Sequence, residues 1–358
     1  MMTRHPFMRL ARTAPMAMLA VVAIAACDRQ QVVAPEETIS EQRAHAGPAT
    51  ISNANVVRVI ARHDGPDYVF DLSDEVIPSG WTTFEMDNHS SSTHFMYLAR
   101  VPQGAMDGAL EDDMELLEYW ETHVTRPFQF FMDTMIEDKE LRFGDAPTKY
   151  EETFFPPWFF EAVPMGGPGF TQGHLSSRTT VNLAPGYYIV ECYVKNADGD
   201  FHSYDGMISL LEVTEERSGA NEPRATLHVN LSTGQIDVDE NIRPGLHTVA
   251  VHFDEQPAGG YEHLLGHDVH LIRLDDEWTA EETAEWMSWM VPDGLVSADG
   301  MRGPSTFMGG AQTMAAGNTA YFTVRLEPGQ YAWVSEVPAI EGMWETFSVP
   351  FGSATGGR

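Results

Sequence analysis

Four residues of types that bind soft metal ions lie in two parts of the chain. Cys192 follows a strand-like run, His202 comes ten positions later, and Met207 leads into the next strand-like run. His94 lies far earlier, six positions after Asn88. Two imidazoles and one thiolate, with a thioether as a weak fourth ligand, form the trigonal site that suits copper cycling between one and two positive charges. These residue types therefore predict a copper site that passes single electrons.

The elements that must position these residues are β-strands. Short alternating runs rich in β-branched and aromatic residues, separated by Gly, Pro, Asn and Asp, are typical of strands. The clearest runs are 68–72, 82–86, 95–101, 179–183, 187–194 and 208–213. Two stretches, 107–123 and 278–290, have helical periodicity, and Thr279 followed by Glu282 predicts a capping box in the second. We predict an all-β chain of two tandem Greek-key β-sandwiches, each with a short inserted helix.

The two sandwiches are predicted from an internal repeat. Six short motifs recur in the same order, among them His94-Phe-Met-Tyr-Leu98 against His267-Asp-Val-His-Leu271 and Met165-Gly166-Gly167 against Met308-Gly309-Gly310. Such ordered self-similarity indicates homologous units. The predicted boundaries are a signal peptide over 1–26, a flexible tether over 27–50, a first domain over 51–216 and a second domain over 225–352.

The motifs of the first domain resemble those of the cupredoxins, in particular plastocyanin-like and azurin-like blue copper proteins. The plastocyanin-type pattern Pro-Gly-x-Tyr-x-x-x-Cys is present from Pro185 to Cys192, and His-x-x-x-Gly-Met from His202 to Met207. The chain also resembles bacterial lipoproteins with tandem cupredoxin-like domains. This resemblance implies one type 1 copper ion in the first domain, with His94, Cys192, His202 and Met207 as its ligands.

The spacing between Cys192 and His202 departs from the family pattern. Nine residues separate them where blue copper proteins usually have two to four, and the insert contains the turn signal Asn196-Ala-Asp198-Gly199. A hairpin here places Cys192 and His202 nearly opposite each other, but a register shift of one residue turns them to opposite faces. Cys192 as an inert buried thiol, Met207 as a core residue, His202 as a loop residue and His94 as a strand-end residue remain the alternatives.

The second domain keeps only part of this set. Ser335 corresponds to Cys192, and the loop that follows contains no His, although His267 and Met343 are retained. The sequence therefore predicts no copper site there. Multicopper oxidase chemistry is disfavoured as well, because neither domain offers a set of His-x-His pairs.

The first 27 residues predict export and a lipid anchor. Basic residues precede a 13-residue apolar stretch over 14–26, which suits a signal peptide and is too short to span a bilayer. The stretch ends in Ile24-Ala25-Ala26-Cys27, which resembles the lipobox of bacterial lipoproteins and implies lipidation of Cys27. We therefore expect a protein anchored at the cell membrane, on its periplasmic or extracellular face.

The charge narrows the classes of partner. Lys and Arg number 21 against 53 Asp and Glu, for a formal charge of −32. Such an acidic chain repels nucleic acid and anionic lipid headgroups and attracts basic proteins. The leading hypothesis is a non-catalytic, membrane-tethered electron carrier whose redox partner is a cytochrome or an oxidase. The alternatives are a metal-free cupredoxin-like interaction protein and a protein that stores or delivers copper.

Overall fold

Strands dominate the computed structural model of the protein. It describes residues 55–137, 155–239, 241–256, 266–274, 278–289, 291, 293–297, 303–336 and 343–351. The strands are β1 (Asn55–Asp64), β2 (Asp67–Leu72), β3 (Val76–Asn88), β4 (Tyr97–Arg100), β5 (Val163–Pro164), β6 (Ser176–Leu183), β7 (Gly186–Glu191), β8 (Ile208–Arg217), β9 (Leu227–Ser232), β10 (Gln235–Val238), β11 (Gly245–Phe253), β12 (Val269–Arg273), β13 (Thr306–Ala311), β14 (Thr319–Leu326), β15 (Gly329–Ser335) and β16 (Met343–Val349). The predicted all-β fold class is confirmed.

The first half is a sandwich in which β3 belongs to both layers. Residues 76–79 of β3 pair in parallel with β8, whereas residues 80–87 pair with β6. The strand changes layers at Gly80, which has a φ of 110° that residues with a Cβ rarely adopt. One layer runs β2-β1-β3-β6 and the other continues from β8 through β7 and β4 to β5. β7, which precedes Cys192, thus lies inside its layer between two partners.

The second half repeats this arrangement and joins the first. Its layers are β10-β9-β11-β14 and the separate sheet β13-β12-β15-β16. β14 also pairs with β6, through Tyr321 opposite Thr180 and Phe322 opposite Thr179. One sheet therefore runs through both halves. β8 ends at Arg217 and β9 begins at Leu227, but the domain boundaries themselves stay a prediction.

Alternation of side chains explains why these segments form strands with a shared core. In β9, Leu227, Val229 and Leu231 are buried while His228 is exposed, as expected when one face of a sheet is covered. The same core contains fully buried large residues from both halves, including Phe84, Tyr188 and Trp333. Burial of such side chains is the main source of stability that holds the site-bearing strands in place.

The helical regions differ in detail from the prediction. The stretch 107–123 is not one helix but part of a series: α1 (Gln103–Glu111), α2 (Leu116–Trp120), a π-helical turn (Glu121–Thr125) and α3 (Arg126–Glu137). The helical conformation is interrupted at Asp113, whose φ is 55°. The break lets α2 fold back onto α1, where Gly108 lies so close to the Tyr119 hydroxyl that a Cβ would come within 2.2 Å of it.

The second helix agrees with its predicted start. α4 (Ala280–Trp286) begins after Thr279, whose hydroxyl accepts from the Glu282 backbone N–H at 3.1 Å. The Glu282 carboxylate in turn accepts from the Thr279 N–H at 2.9 Å. This reciprocal pair is the predicted capping box, and it satisfies two backbone donors that a helix start otherwise leaves free.

Some sequence predictions lie outside the described residues. These are the signal peptide over 1–26, the tether over 27–50 and the lipidated Cys27. Among the helices in the described part of the chain, none combines the length and the apolar character needed to cross a membrane.

Candidate metal centre

His94 is positioned by a polar loop between β3 and β4. Its backbone pairs with Thr171, donating at 3.0 Å and accepting at 2.7 Å. Its Nε2 lies 2.8 Å from the Ser90 hydroxyl, and that hydroxyl donates to the Asn88 Oδ1 at 2.8 Å. Because the Ser90 proton is directed to Asn88, the Ser90 oxygen accepts from His94 Nε2–H. This arrangement leaves the lone pair on His94 Nδ1 available for a metal.

Asn88 organises the same loop. Its side-chain amide donates to the carbonyls of Ser92 at 2.7 Å and Thr171 at 2.9 Å. The sequence pointed to Asn88 by its spacing from His94. The sequence reasoning missed Ser90, because a serine within the run Ser90-Ser-Ser92 gives no signal of its own.

The nine-residue insert after Cys192 folds back as a hairpin. Lys195 and Phe201 form an antiparallel bridge, and the His202 N–H donates to the Val194 carbonyl at 2.8 Å. The turn is closed by the Asn196 side chain, whose Oδ1 accepts from the N–H groups of Asp198 and Asp200. The insert therefore returns the chain to the strand it left, and His202 comes back beside Cys192.

Three ligand atoms meet at one buried point. Cys192 Sγ lies 3.8 Å from the Nδ1 atoms of both His94 and His202, and these two nitrogens are 3.1 Å apart. All three residues are fully buried. The point equidistant from the three atoms lies inside their triangle, about 2.1 Å from each, which is close to metal–nitrogen and metal–sulfur bond lengths. Without any rearrangement, this triangle has the size that a trigonal metal ion requires.

His202 is held from the side by an aromatic ring. Tyr68 stacks on its imidazole, with ring centroids 3.8 Å apart and an interplanar angle of 15°. The Nε2 of His202 is buried and makes no hydrogen bond to the residues that the structure describes. Burial, with a smaller contribution from the neighbouring imidazoles of His94 and His63, lowers the pKa of His202 well below its usual value. A neutral imidazole is the form that binds a metal.

The Cys192 thiol is also kept neutral in the absence of metal. Burial raises the pKa of Cys192 to about 12, against weaker opposing effects of backbone groups at Phe95 and Val194. The buried metal centre thus favours a neutral thiol and neutral imidazoles when no cation is bound. A bound cation would compensate the charge of the thiolate and so favour its formation.

Met207 lies in the loop that runs from His202 to β8, and it is fully buried. Its N–H donates to the His202 carbonyl at 2.8 Å, and its carbonyl accepts from the Cys192 N–H at 3.2 Å. The backbone of Met207 is therefore tied to both residues, and the turn that allows this passes through Gly206 at a φ of 103°. The assignment of Met207 as a weak fourth ligand stays a prediction.

The corresponding place in the second half holds a carboxylate network. Asp268 accepts from the Glu336 N–H at 2.6 Å and from the Ser335 hydroxyl at 3.3 Å, and lies 2.5 Å from His270 Nε2. Within the described residues, one group of three His, Cys, Asp or Glu side chains has metal-ligand spacing. This group is His94, Cys192 and His202. The absence of a copper site from the second half stays a prediction.

His267, the counterpart of His94, gives a pH prediction. It is fully buried, and neither ring nitrogen has a hydrogen-bond partner in the described structure. Burial lowers the pKa of His267 below its ordinary value of 6.5. Below pH 6.5 the His267 imidazole takes up a proton in the unfolded chain more readily than in the folded chain. We therefore expect the free energy of unfolding to fall as the pH falls. The variant His267→Gln should reduce the slope of unfolding free energy against pH by up to about 1.4 kcal/mol per pH unit.

Urea unfolding of the copper-free protein between pH 7 and pH 5 measures this slope. The variant His89→Gln, which removes an exposed imidazole, serves as the control for the substitution itself. An unchanged slope in His267→Gln would show that this imidazole takes up its proton in the folded state as well.

Comparisons with known proteins give distant likenesses in structure. No protein-family model and no curated protein matches the chain. A reduced auracyanin from the photosynthetic bacterium Roseiflexus castenholzii is 14% identical, with 45% of this chain and 98% of auracyanin covered and a TM-score of 0.23. A copper nitrite reductase from Nitrosomonas europaea is 11% identical, with coverages of 84% and 94% and a TM-score of 0.21. The blue copper oxidase from the same organism is 10% identical, with coverages of 83% and 85% and a TM-score of 0.20.

TM-scores this low carry no argument about the family or the activity of this chain. The activity has to be inferred from the residues of the metal centre.

Proposed function

We propose that the protein is a blue-copper electron carrier. The observation that carries this proposal is the triangle of Cys192 Sγ, His94 Nδ1 and His202 Nδ1, whose size suits a trigonal ion. Two imidazoles and a thiolate select copper over hard cations, because soft sulfur favours Cu(I) and imidazole accommodates both oxidation states. Copper bound there would supply a one-electron redox couple, with Met207 proposed as its weak axial ligand.

Burial favours a carrier over an enzyme. The three ligand residues have no exposed surface, so the described structure offers a substrate no route to the ion. An enclosed set of ligands held by backbone hydrogen bonds also changes little when the charge of the ion changes, which favours fast electron transfer. The proposed partner is a cytochrome or an oxidase with a basic surface, since the chain carries a charge of −32. A lipid on Cys27 is proposed to hold the carrier at the membrane.

Addition of Cu(II) to the purified protein tests this function. We expect an intense visible charge-transfer band from the thiolate and a reversible one-electron wave in voltammetry. Absence of the band together with unchanged stability would favour the metal-free interaction protein. Tight Cu(I) binding without reversible oxidation would favour storage or delivery.

The second half contributes a short segment that holds both ligand-bearing loops; we call 295–297 the bridging segment. The Ser297 hydroxyl accepts from the Thr93 N–H at 2.8 Å, directly before His94. The Lys195 N–H donates to the Leu295 carbonyl at 3.0 Å, and the Lys195 carbonyl accepts from the Ser297 N–H at 2.9 Å. The bridging segment therefore supports the first ligand and the insert that carries the third.

The Lys195 side chain strengthens this attachment. It is fully buried, and its Nζ donates to the carbonyls of Trp289 at 2.8 Å and Val291 at 2.7 Å. Burial lowers the pKa of Lys195 to about 7, although the neighbouring Glu336 opposes this shift. These hydrogen bonds fix the base of the insert to the second half. The second half, for which no copper ligand is proposed, would therefore help to form the metal centre.

The variant Ser297→Ala tests this role. It leaves the Thr93 N–H buried without its acceptor, so we expect a loss of about 1–3 kcal/mol in stability. Because Thr93 precedes a ligand, we also expect copper affinity to fall by about 10-fold and the visible band to shift.

The matched control is Ser305→Ala, which removes another buried hydroxyl of the second half, one bonded to Thr283 at 2.7 Å. It should cost stability without moving the copper spectrum. Identical copper spectra and affinities for Ser297→Ala and the unaltered protein would show that the bridging segment has no influence on the site.

A further inference from the structure

An aromatic cavity lies between the helical region of the first half and the end of β7. It encloses about 50 Å³, and its walls include the rings of Trp120, Phe128, Phe159, Phe201 and Trp289. Ala99 of β4 and Ala162 widen the space between the rings, because their short side chains leave it unfilled. The cavity is separate from the metal centre.

Two residues that flank Cys192 face this cavity. Glu191 and Tyr193 both line it, whereas Cys192 does not. This difference follows from extended backbone, in which successive side chains point to opposite faces. The thiol is therefore directed to the metal centre and the Glu191 carboxyl to the cavity.

The carboxyl of Glu191 is the unusual feature of the cavity. Among the described residues, none donates a hydrogen bond to it and none forms an ion pair with it, although Glu191 is half-buried and stands opposite Tyr97 in the β4–β7 pairing. A carboxylate between apolar walls is unfavourable unless a positive charge or a hydrogen-bond donor compensates it. No described residue supplies either group, so a cation with N–H donors that enters the cavity would compensate the carboxylate.

We propose that this cavity binds a small organic ammonium ion. The N–H groups of such an ion would donate to the Glu191 carboxyl, and its alkyl groups would lie against the ring faces. The faces of Trp, Tyr and Phe attract organic cations by their negative electrostatic potential. The enclosed volume is that of about four water molecules, which suits methylated ammonium ions better than larger amines. A chain charge of −32 raises the local concentration of such cations.

Titration of the copper-free protein with methylammonium, dimethylammonium and trimethylammonium chloride tests the proposal. Sodium chloride keeps the ionic strength constant, and tert-butanol serves as an uncharged probe of similar shape. Because Trp120 and Trp289 line the cavity, tryptophan fluorescence reports occupancy, and calorimetry gives the affinity. We expect saturable binding of at least one of the three ions and none of tert-butanol. This test needs no copper, so it is independent of the electron-transfer proposal.

Three variants separate specific binding from general attraction. Glu191→Gln removes the charge and should weaken binding by about 10-fold or more. Ala162→Leu keeps the carboxyl but fills the cavity, so it should abolish binding, and it decides the matter if Glu191→Gln does not fold. Glu161→Gln removes a nearby exposed carboxyl that does not line the cavity and should bind as the unaltered protein does. The proposal is overturned by any of three results: no saturable signal, an equal response to tert-butanol, or unchanged affinity in Glu191→Gln or Ala162→Leu.

Discussion

The variant Cys192→Ser is expected to lose the visible charge-transfer band completely and to bind Cu(II) more than about 100-fold more weakly. Changes outside the ligand set commonly cost 10-fold to 100-fold in metal affinity, and here a ligand itself is removed. A hydroxyl stays protonated where a thiol can become a thiolate, so the soft anionic ligand that selects copper is gone. Absorption spectroscopy and competition with a chelator measure the two effects.

The second half provides a matched control for this variant. Ser335 occupies the position that corresponds to Cys192, and its hydroxyl contacts Asp268 instead of a ligand set. Ser335→Ala should therefore leave the band and the copper affinity unchanged. A visible band of full intensity in Cys192→Ser would mean that the chromophore lies elsewhere, and the proposed function would fail.

The variant Gly167→Ala is expected to destabilise the protein by more than about 4 kcal/mol, which is exceptional for one methyl group. Gly167 has a φ of 125°, and a Cβ there would lie 2.1 Å from the carbonyl oxygen of Met96. The neighbouring Pro168 carbonyl accepts from the Met96 N–H at 3.0 Å, so the two segments cannot separate without losing that bond. Urea unfolding measures the loss. Because Met96 lies two residues after His94, copper affinity should fall as well.

Gly65→Ala separates steric overlap from backbone preference. Gly65 also has a positive φ, 68°, but a Cβ there meets no atom within 4 Å. It should cost only about 1–2 kcal/mol, the usual penalty for a left-handed residue with a Cβ. Equal losses in the two variants would contradict the explanation that contact with Met96 dominates.

Residue types and local spacing were sufficient to select the candidate ligands. Cys192, His202 and Met207 lie within 16 consecutive residues, and the Asn88 to His94 spacing indicated the distant fourth. The structure brings His94, Cys192 and His202 together and ties Met207 to two of them by backbone hydrogen bonds. The capping box of α4 was equally accessible, because all its atoms belong to residues three positions apart.

The register of the insert could not be obtained from the sequence. The turn signal at 196–199 was visible, but a shift of one residue would have moved His202 to the other face. The register is set by contacts from far along the chain. Gln129 accepts from the Phe201 N–H at 2.8 Å, and the bridging segment pairs with Lys195. A pattern of residue types carries no information on such non-local bonds.

The helical region shows the same limit for local structure. Helical periodicity over 107–123 was correct in kind, but the break at Asp113 and the continuation to Glu137 were not foreseen. The break is accompanied by the packing of Gly108 against Tyr119, a contact between two helices. The aromatic cavity next to α3 was likewise invisible in the sequence, because its walls come from five separate parts of the chain.

The hydrogen bonds of the bridging segment imply reciprocal linkage across the molecule. Ser297 and Leu295 are hydrogen-bonded to the loops that carry His94 and His202. The free energy by which the bridging segment favours copper binding therefore equals the free energy by which copper favours this hydrogen-bonded position of the segment. Copper loading would then slow amide hydrogen exchange in a part of the chain that contributes no ligand. Conversely, a protein that bound the bridging segment would alter the metal affinity, so this segment would act as an allosteric site for the metal centre.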